Sequence, residues 1–159
     1  MNKHRLSLVI IVTGITAAGA LAAIWFKPGT ADITALAPDN RELVDAGAKI
    51  YANQCASCHG KNLEGQPDWK TPLPNGRYPA PPHDATGHTW HHTDELLFQL
   101  TKFGSAAVVG NNHQSDMPGF KDMLSDRDII AVLSFIKSTW PQKIRKNHDL
   151  LNKETRARQ

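Results

Sequence analysis

The sequence predicts an all-α protein, and three observations carry that prediction. Three segments each pair a helix-start signal with apolar residues at helical spacing. The stretch Cys55-Ala56-Ser57-Cys58-His59 is a C-x-x-C-H motif, which places a prosthetic group at the end of the first of them. Near the N-terminus, Leu6 to Phe26 is an uncharged apolar run long enough to be a helix of its own.

Taken in order, that run comes first. Its 21 residues at about 1.5 Å each cross a hydrocarbon core of about 30 Å. Lys3, His4 and Arg5 precede it, so the short N-terminus should stay in the cytoplasm and everything after Phe26 should lie outside. A cleaved signal peptide has a shorter apolar core and a small-residue cleavage site directly after it. Here the run ends in Trp25-Phe26-Lys27, a good interfacial anchor. A buried core helix would show polar positions over such a length. Residues 1–26 therefore read as a cytoplasmic stub and transmembrane anchor, and residues 27–38 as a linker.

Asp39 looks like the N-cap of the next helix, with Glu42 as its capping-box partner. Leu43, Gly47, Ile50 and Gln54 recur at helical spacing, so the helix should run from about Asn40 to Gln54. Gly47 is unfavourable inside a helix unless another helix crosses closely there.

The C-x-x-C-H motif follows directly. Two thiols at this spacing in a helical turn each reach one vinyl group of a single porphyrin, and His59 then offers an imidazole nitrogen to the iron. Cys55 and Cys58 are the only cysteines. A structural zinc needs four ligands, usually in a second pair, and there is none. A thioredoxin-like motif needs a βαβ setting, which is not apparent. A disulfide between the two would close a very small, strained loop. One covalently attached haem c, with its iron, is the predicted cofactor.

From Gly60 to His92 regular structure is not expected, because six prolines fall here and the Pro81-Pro82 pair forces an extended path. A loop this long suits wrapping a flat cofactor. Thr93 can cap a second helix to about Phe103, with Leu96, Leu97, Leu100 and Phe103 on one side and Gly104 ending it. Ser105 to Gly119 again reads as loop. Ser125 opens a third helix with Asp128 as its capping-box partner. Ile129, Val132, Leu133 and Ile136 form its buried stripe, and Trp140-Pro141 ends it. Beyond Pro141 the shared face of Ile144, His148 and Leu151 is a weak helical signal.

The iron's second axial position decides the function. Met117, in Asp116-Met117-Pro118-Gly119-Phe120, has a stiffened backbone after it and polar, turn-rich surroundings, which suit a thioether ligand better than a core filler. His113 is the competing ligand, and Met123 fits a core filler. His88, His91 and His92 are dense enough to bind copper or zinc, although a polar loop with Trp90 packed toward the porphyrin edge explains them more simply.

Charge is unevenly placed. Residues 27–140 hold ten basic and thirteen acidic residues, whereas six basic residues stand against Asp149 and Glu154 after Pro141. The body is mildly acidic and residues 141–159 form a basic tail, suited to an acidic partner or anionic headgroups. The formal net charge of +3 is too small to suggest nucleic acid.

Together, Cys55-Ala56-Ser57-Cys58-His59-Gly60 after a first helix, Met117-Pro118-x-Phe120 downstream, and a closing helix from Leu124-Ser125-Asp126 to Trp140-Pro141 resemble a class I cytochrome c over residues 39–140. The segments Leu63 to Trp69 and Gly87 to His92 look similar to a bacterial membrane-anchored subgroup. The resemblance implies crossed N- and C-terminal helices, with Gly47 and Tyr51 meeting Phe135 and Ile136. It also implies a proline carbonyl on the second nitrogen of His59, for which Pro67, Pro72 and Pro74 are candidates. The function expected is that of a one-electron carrier, not an enzyme, with His59 and Met117 as axial ligands. It would be tethered to a bacterial inner membrane on the periplasmic side and serve redox partner proteins there. A haem enzyme with an open iron site, and a copper-handling or sensor module, are the alternatives.

Overall fold

A computed structural model describes residues 35–159. The proposed anchor, Leu6 to Phe26, lies outside them. Among the described residues the regular elements are all helical. They are α1 (Arg41–Ile50), α2 (Ala56–His59), α3 (Asp94–Phe103), α4 (Ser105–Val109), α5 (Asp126–Ser138) and α6 (Gln142–Arg156). No described helix is long and apolar enough to cross a membrane.

The cap of α1 is Asn40, whose side chain accepts from the Leu43 amide at 3.1 Å. The Asp39–Glu42 capping box is thereby overturned. Asp39 instead pairs with Arg145 on α6 at 2.5 Å, and an amide oxygen one residue later satisfies the orphan N–H group equally well. The helix does not run evenly to Gln54. It widens into a π-helical turn over Tyr51–Cys55 before α2 carries Cys58 and His59. Such a turn re-aims every later side chain, and these turns gather at functional sites.

The contact of α1 with α5 is the most extensive between helices. Gly47 sits at the crossing. A Cβ there would overlap the Ala131 carbonyl oxygen and stand 2.9 Å from the Phe135 Cβ. Tyr51 packs on Phe135 with ring centroids 5.5 Å apart. The expected stripe of α5 is buried in full, at Ile129, Val132, Leu133 and Ile136. Ser125 and Asp128 close the expected capping box.

Helix α3 begins at Thr93 and ends at Gly104 as expected, but presents a different face. Leu97, Phe98 and Thr101 are buried, while Leu96 and Phe103 are exposed. Apolar residues at 96, 97, 98, 100 and 103 allow two stripes, and packing on α5 selects the one containing Phe98. Thr101 is tolerated inside because its hydroxyl donates to the Leu97 carbonyl at 2.9 Å. Within the expected loop 105–119, the short α4 was missed. The region from Gly60 to His92 is irregular as expected, apart from a 3-10 turn at Thr89–His91.

The segment after Pro141 is a 15-residue helix and not a frayed end. His148 and Asn152 of α6 are buried against the start of α3 and the turn before it. His148 Nε2–H donates to the His92 carbonyl at 2.8 Å. The Asn152 side-chain oxygen accepts from the Asp94 amide at 2.7 Å. Lys137 of α5 is buried with its ammonium 2.7 Å from Asp149 of α6 and 3.7 Å from Asp94. Buried polar residues together with Ile144, which packs on the core, fasten this helix, which is why its hydrophobic signal is weak.

Candidate functional site

Helices α2, α3 and α5 and the loops around them border an open cavity of about 1020 Å³. Leu97, Leu100, Phe120, Val132, Leu133 and Ile136 give it an apolar wall. Cys55, Cys58, His59 and Met117 all line it, so the structure brings together the four residues singled out in the sequence.

The π-helical turn and α2 deliver the motif. Cys55 is half-buried and Cys58 exposed. The hydroxyl of buried Tyr51 donates to the Gly60 carbonyl at 2.8 Å and the His59 carbonyl at 3.3 Å, pinning the end of α2.

His59 is buried, and its Nδ1–H donates to the Pro81 carbonyl at 2.8 Å. A carbonyl only accepts, so the proton is on Nδ1 and the Nε2 lone pair is left for a ligand bond. Burial lowers the His59 pKa, and the Pro81 bond opposes that in part. Pro67, Pro72 and Pro74 are therefore not the orienting residue. All three are exposed, whereas the stiff Pro81-Pro82 pair runs past the imidazole. That pair's forced extension was the legible signal for it.

Met117 belongs to a strip laid along the end of α3. Phe120 and Lys121 donate their amides to the Thr101 and Lys102 carbonyls, both at 3.0 Å. The approach needs two glycines. A Cβ on Gly104 would stand 3.1 Å from the Met117 oxygen, and one on Gly119 would stand 2.6 Å from the Phe103 carbonyl carbon. Arg77 pairs with Asp116 beside Met117, joining this strip to the proline-rich loop. The competing ligand His113 also lines the cavity, but its Nε2 is engaged with the Ser105 hydroxyl at 3.2 Å. Met123 lines the cavity too and is exposed, so it is not a core filler.

Of the three clustered histidines, His88 and His92 face the cavity and His91 does not. Among the described residues no group of three or more His, Cys, Asp or Glu is placed to hold a metal ion. Trp90 stacks on His91 at 3.7 Å, and Trp69, stacked on His88 at 5.2 Å, takes the place at the cavity wall expected of Trp90. His88 Nδ1 is buried without a hydrogen-bond partner among the described residues. An apolar cavity with thiols and an imidazole on one wall, a thioether at another and an unpaired polar atom fits a covalently held haem.

Sequence reasoning missed His83. Its ring stacks on that of His59 with centroids 4.0 Å apart, and burial pushes its pKa well below the ordinary histidine value. No spacing marks it out from the other histidines.

The family model for cytochrome c matches residues 44–140, more than half of the 159 residues, and the chain belongs to that family. It is a class I c-type cytochrome with covalently bound haem c and its iron, and the family points to electron transfer. Among similar proteins are the cytochrome bc1 complex cytochrome c subunits of Mycobacterium leprae, 33% identical over 38% of this chain and 20% of the relative, and of Mycobacterium tuberculosis, 35% identical over 42% and 23%. The cytochrome c subunit of a quinone alcohol dehydrogenase from Gluconobacter oxydans is 30% identical over 60% and 18%. The chain thus spans about a fifth of the length of these relatives. No solved structure matches it.

Proposed function

We propose that this chain is a membrane-tethered, one-haem electron carrier with Cys55 and Cys58 as attachment points and His59 and Met117 as axial ligands. One observation carries the reading: these four side chains line a single apolar cavity in an otherwise close-packed helical domain. The bound haem supplies a one-electron ferric/ferrous couple. Pro81 holds the His59 ring in the tautomer that leaves Nε2 free. The strip across Gly104 and Gly119 would present Met117, and the apolar wall would pack against the haem. A thioether ligand would favour ferrous iron and so raise the potential.

With two protein ligands the iron has no position open to a substrate, which makes the chain a carrier and not an enzyme. Tethering comes from Leu6 to Phe26, whose length and flanking charges support a single-pass anchor with the haem domain on the periplasmic face of a bacterial inner membrane. The relatives named as subunits of a bc1 complex and of a quinone alcohol dehydrogenase support redox partners of that kind, fixed in the same membrane.

Carbon monoxide tests this reading. The reduced holoprotein should show no spectral change under the gas, because both axial positions are filled. Rapid, saturable binding would instead place it with open-site haem enzymes or sensors.

A further inference from the structure

Three elements hold His83 against His59. Its backbone N–H donates to the Leu63 carbonyl at 2.8 Å. Its own carbonyl accepts from Trp140 Nε1, at the end of α5, at 2.7 Å. Its ring Nδ1 lies 2.8 Å from the hydroxyl of buried Thr89. Leu63 is itself unusual, a buried branched residue at φ 68°. A bulky residue keeps that conformation only where its surroundings impose it. Here its amide donates to the Gly60 carbonyl at 3.3 Å, and its carbonyl accepts from both His83 and Asp84. A strained residue and a buried tryptophan thus hold the His83 backbone, and a buried threonine holds its ring.

That side chain presents a flat face. The His83 and His59 rings lie 25° from parallel. The Pro81 carbonyl fixes the tautomer of His59 and orients its ring at Nδ1. A second ring stacked on the face of the imidazole restrains the same plane from another direction.

We propose that His83 is a positioning residue that sets the plane of the His59 imidazole, and through it the orientation of the axial ligand over the haem. The inference rests on the reading of His59 as an iron ligand. The orientation of an axial imidazole governs how unpaired spin spreads over the four haem methyl groups, so proton NMR of the oxidised holoprotein reads it directly.

The test compares wild type with His83→Ala, His83→Phe and His83→Leu. His83→Ala should change the order and spread of the four methyl resonances and shift the reduction potential. His83→Phe keeps a flat ring without the ring nitrogens and should retain the wild-type pattern. A folded His83→Ala protein with wild-type resonances overturns the proposal, as does a His83→Phe pattern displaced as far as that of His83→Ala. Should His83→Ala not fold, His83→Leu keeps the bulk but not the flat face. An altered pattern there supports the proposal and an unaltered one overturns it. Histidine-labelled wild type showing no hyperfine-shifted ring would overturn the ligand reading itself, and the two failures are told apart before any variant is made.

Discussion

His148 shows how a single titratable group ties stability to pH. It is fully buried in α6, donates from Nε2 to the His92 carbonyl, and has Asn152 Nδ2 3.4 Å from its Nδ1. That arrangement fits the neutral ring, with one nitrogen donating and the other accepting. Burial, and then the Lys137 ammonium, hold its pKa below 6.5, although Asp94, the His92 carbonyl and Asp149 pull the other way. In the unfolded chain the same histidine takes up a proton near its ordinary value of about 6.5. Below that pH the unfolded state binds more protons, so acid favours unfolding until the folded state also protonates. Denaturant titrations of the holoprotein should therefore show stability falling as pH drops below about 6.5 and levelling above it. His148→Gln should flatten that slope, and an unchanged slope would remove His148 from the account. None of this was legible in the sequence, where His148 showed only as a point on a weak helical face.

Gly47 belongs to the scale of elements. Its placement inside a helix pointed to a close crossing, and the crossing is there. Ala is a better helix former than Gly by about 1 kcal/mol, so an unpacked position would gain from Gly47→Ala. At this crossing the methyl group would overlap the Ala131 carbonyl oxygen, which belongs to backbone and cannot swing aside. Gly47→Ala should therefore destabilise by about 1–3 kcal/mol, seen as a lower denaturation midpoint. A gain in stability would show that α1 and α5 stand further apart. Elements of this kind, marked by caps and an apolar period, were legible: α5 matched from cap to final tryptophan. The face of α3 was not, because its apolar residues allow two stripes and only packing chooses between them. The π-helical turn was hidden as well, since nothing in Tyr51 to Cys55 distinguishes it from ordinary helix.

At the scale of the whole molecule, α6 changes what the basic segment means. A tail would be removable, but α6 supplies hydrogen bonds to the His92 carbonyl and the Asp94 amide, and an ion pair to buried Lys137. Truncation after Trp140 should destabilise the domain by at least about 2 kcal/mol, read from thermal or denaturant unfolding. Steering by its charge is better tested on the exposed Lys143, Lys146 and Lys153. Changing these three to Gln should leave stability unaltered and slow electron delivery to membranes at low salt only, because exposed charges are screened beyond about 8–10 Å at ordinary salt. Equal rates at both salts would make them plain solvated charge.

Cys55, Cys58 and His59 were legible because their chemistry fixes their spacing, and Met117 because of Pro118 and its polar surroundings, whereas His83 is placed only by the folded loop. Met117 is proposed as the iron's second protein ligand beside His59. Methionine–haem ligation gives the oxidised protein a weak near-infrared sulfur-to-iron charge-transfer band, which a second histidine does not. The account predicts this band in wild type and in His113→Ala and Met123→Ala, and its loss in Met117→Ala together with a lower potential and new carbon monoxide binding. A band that survives in Met117→Ala would contradict it.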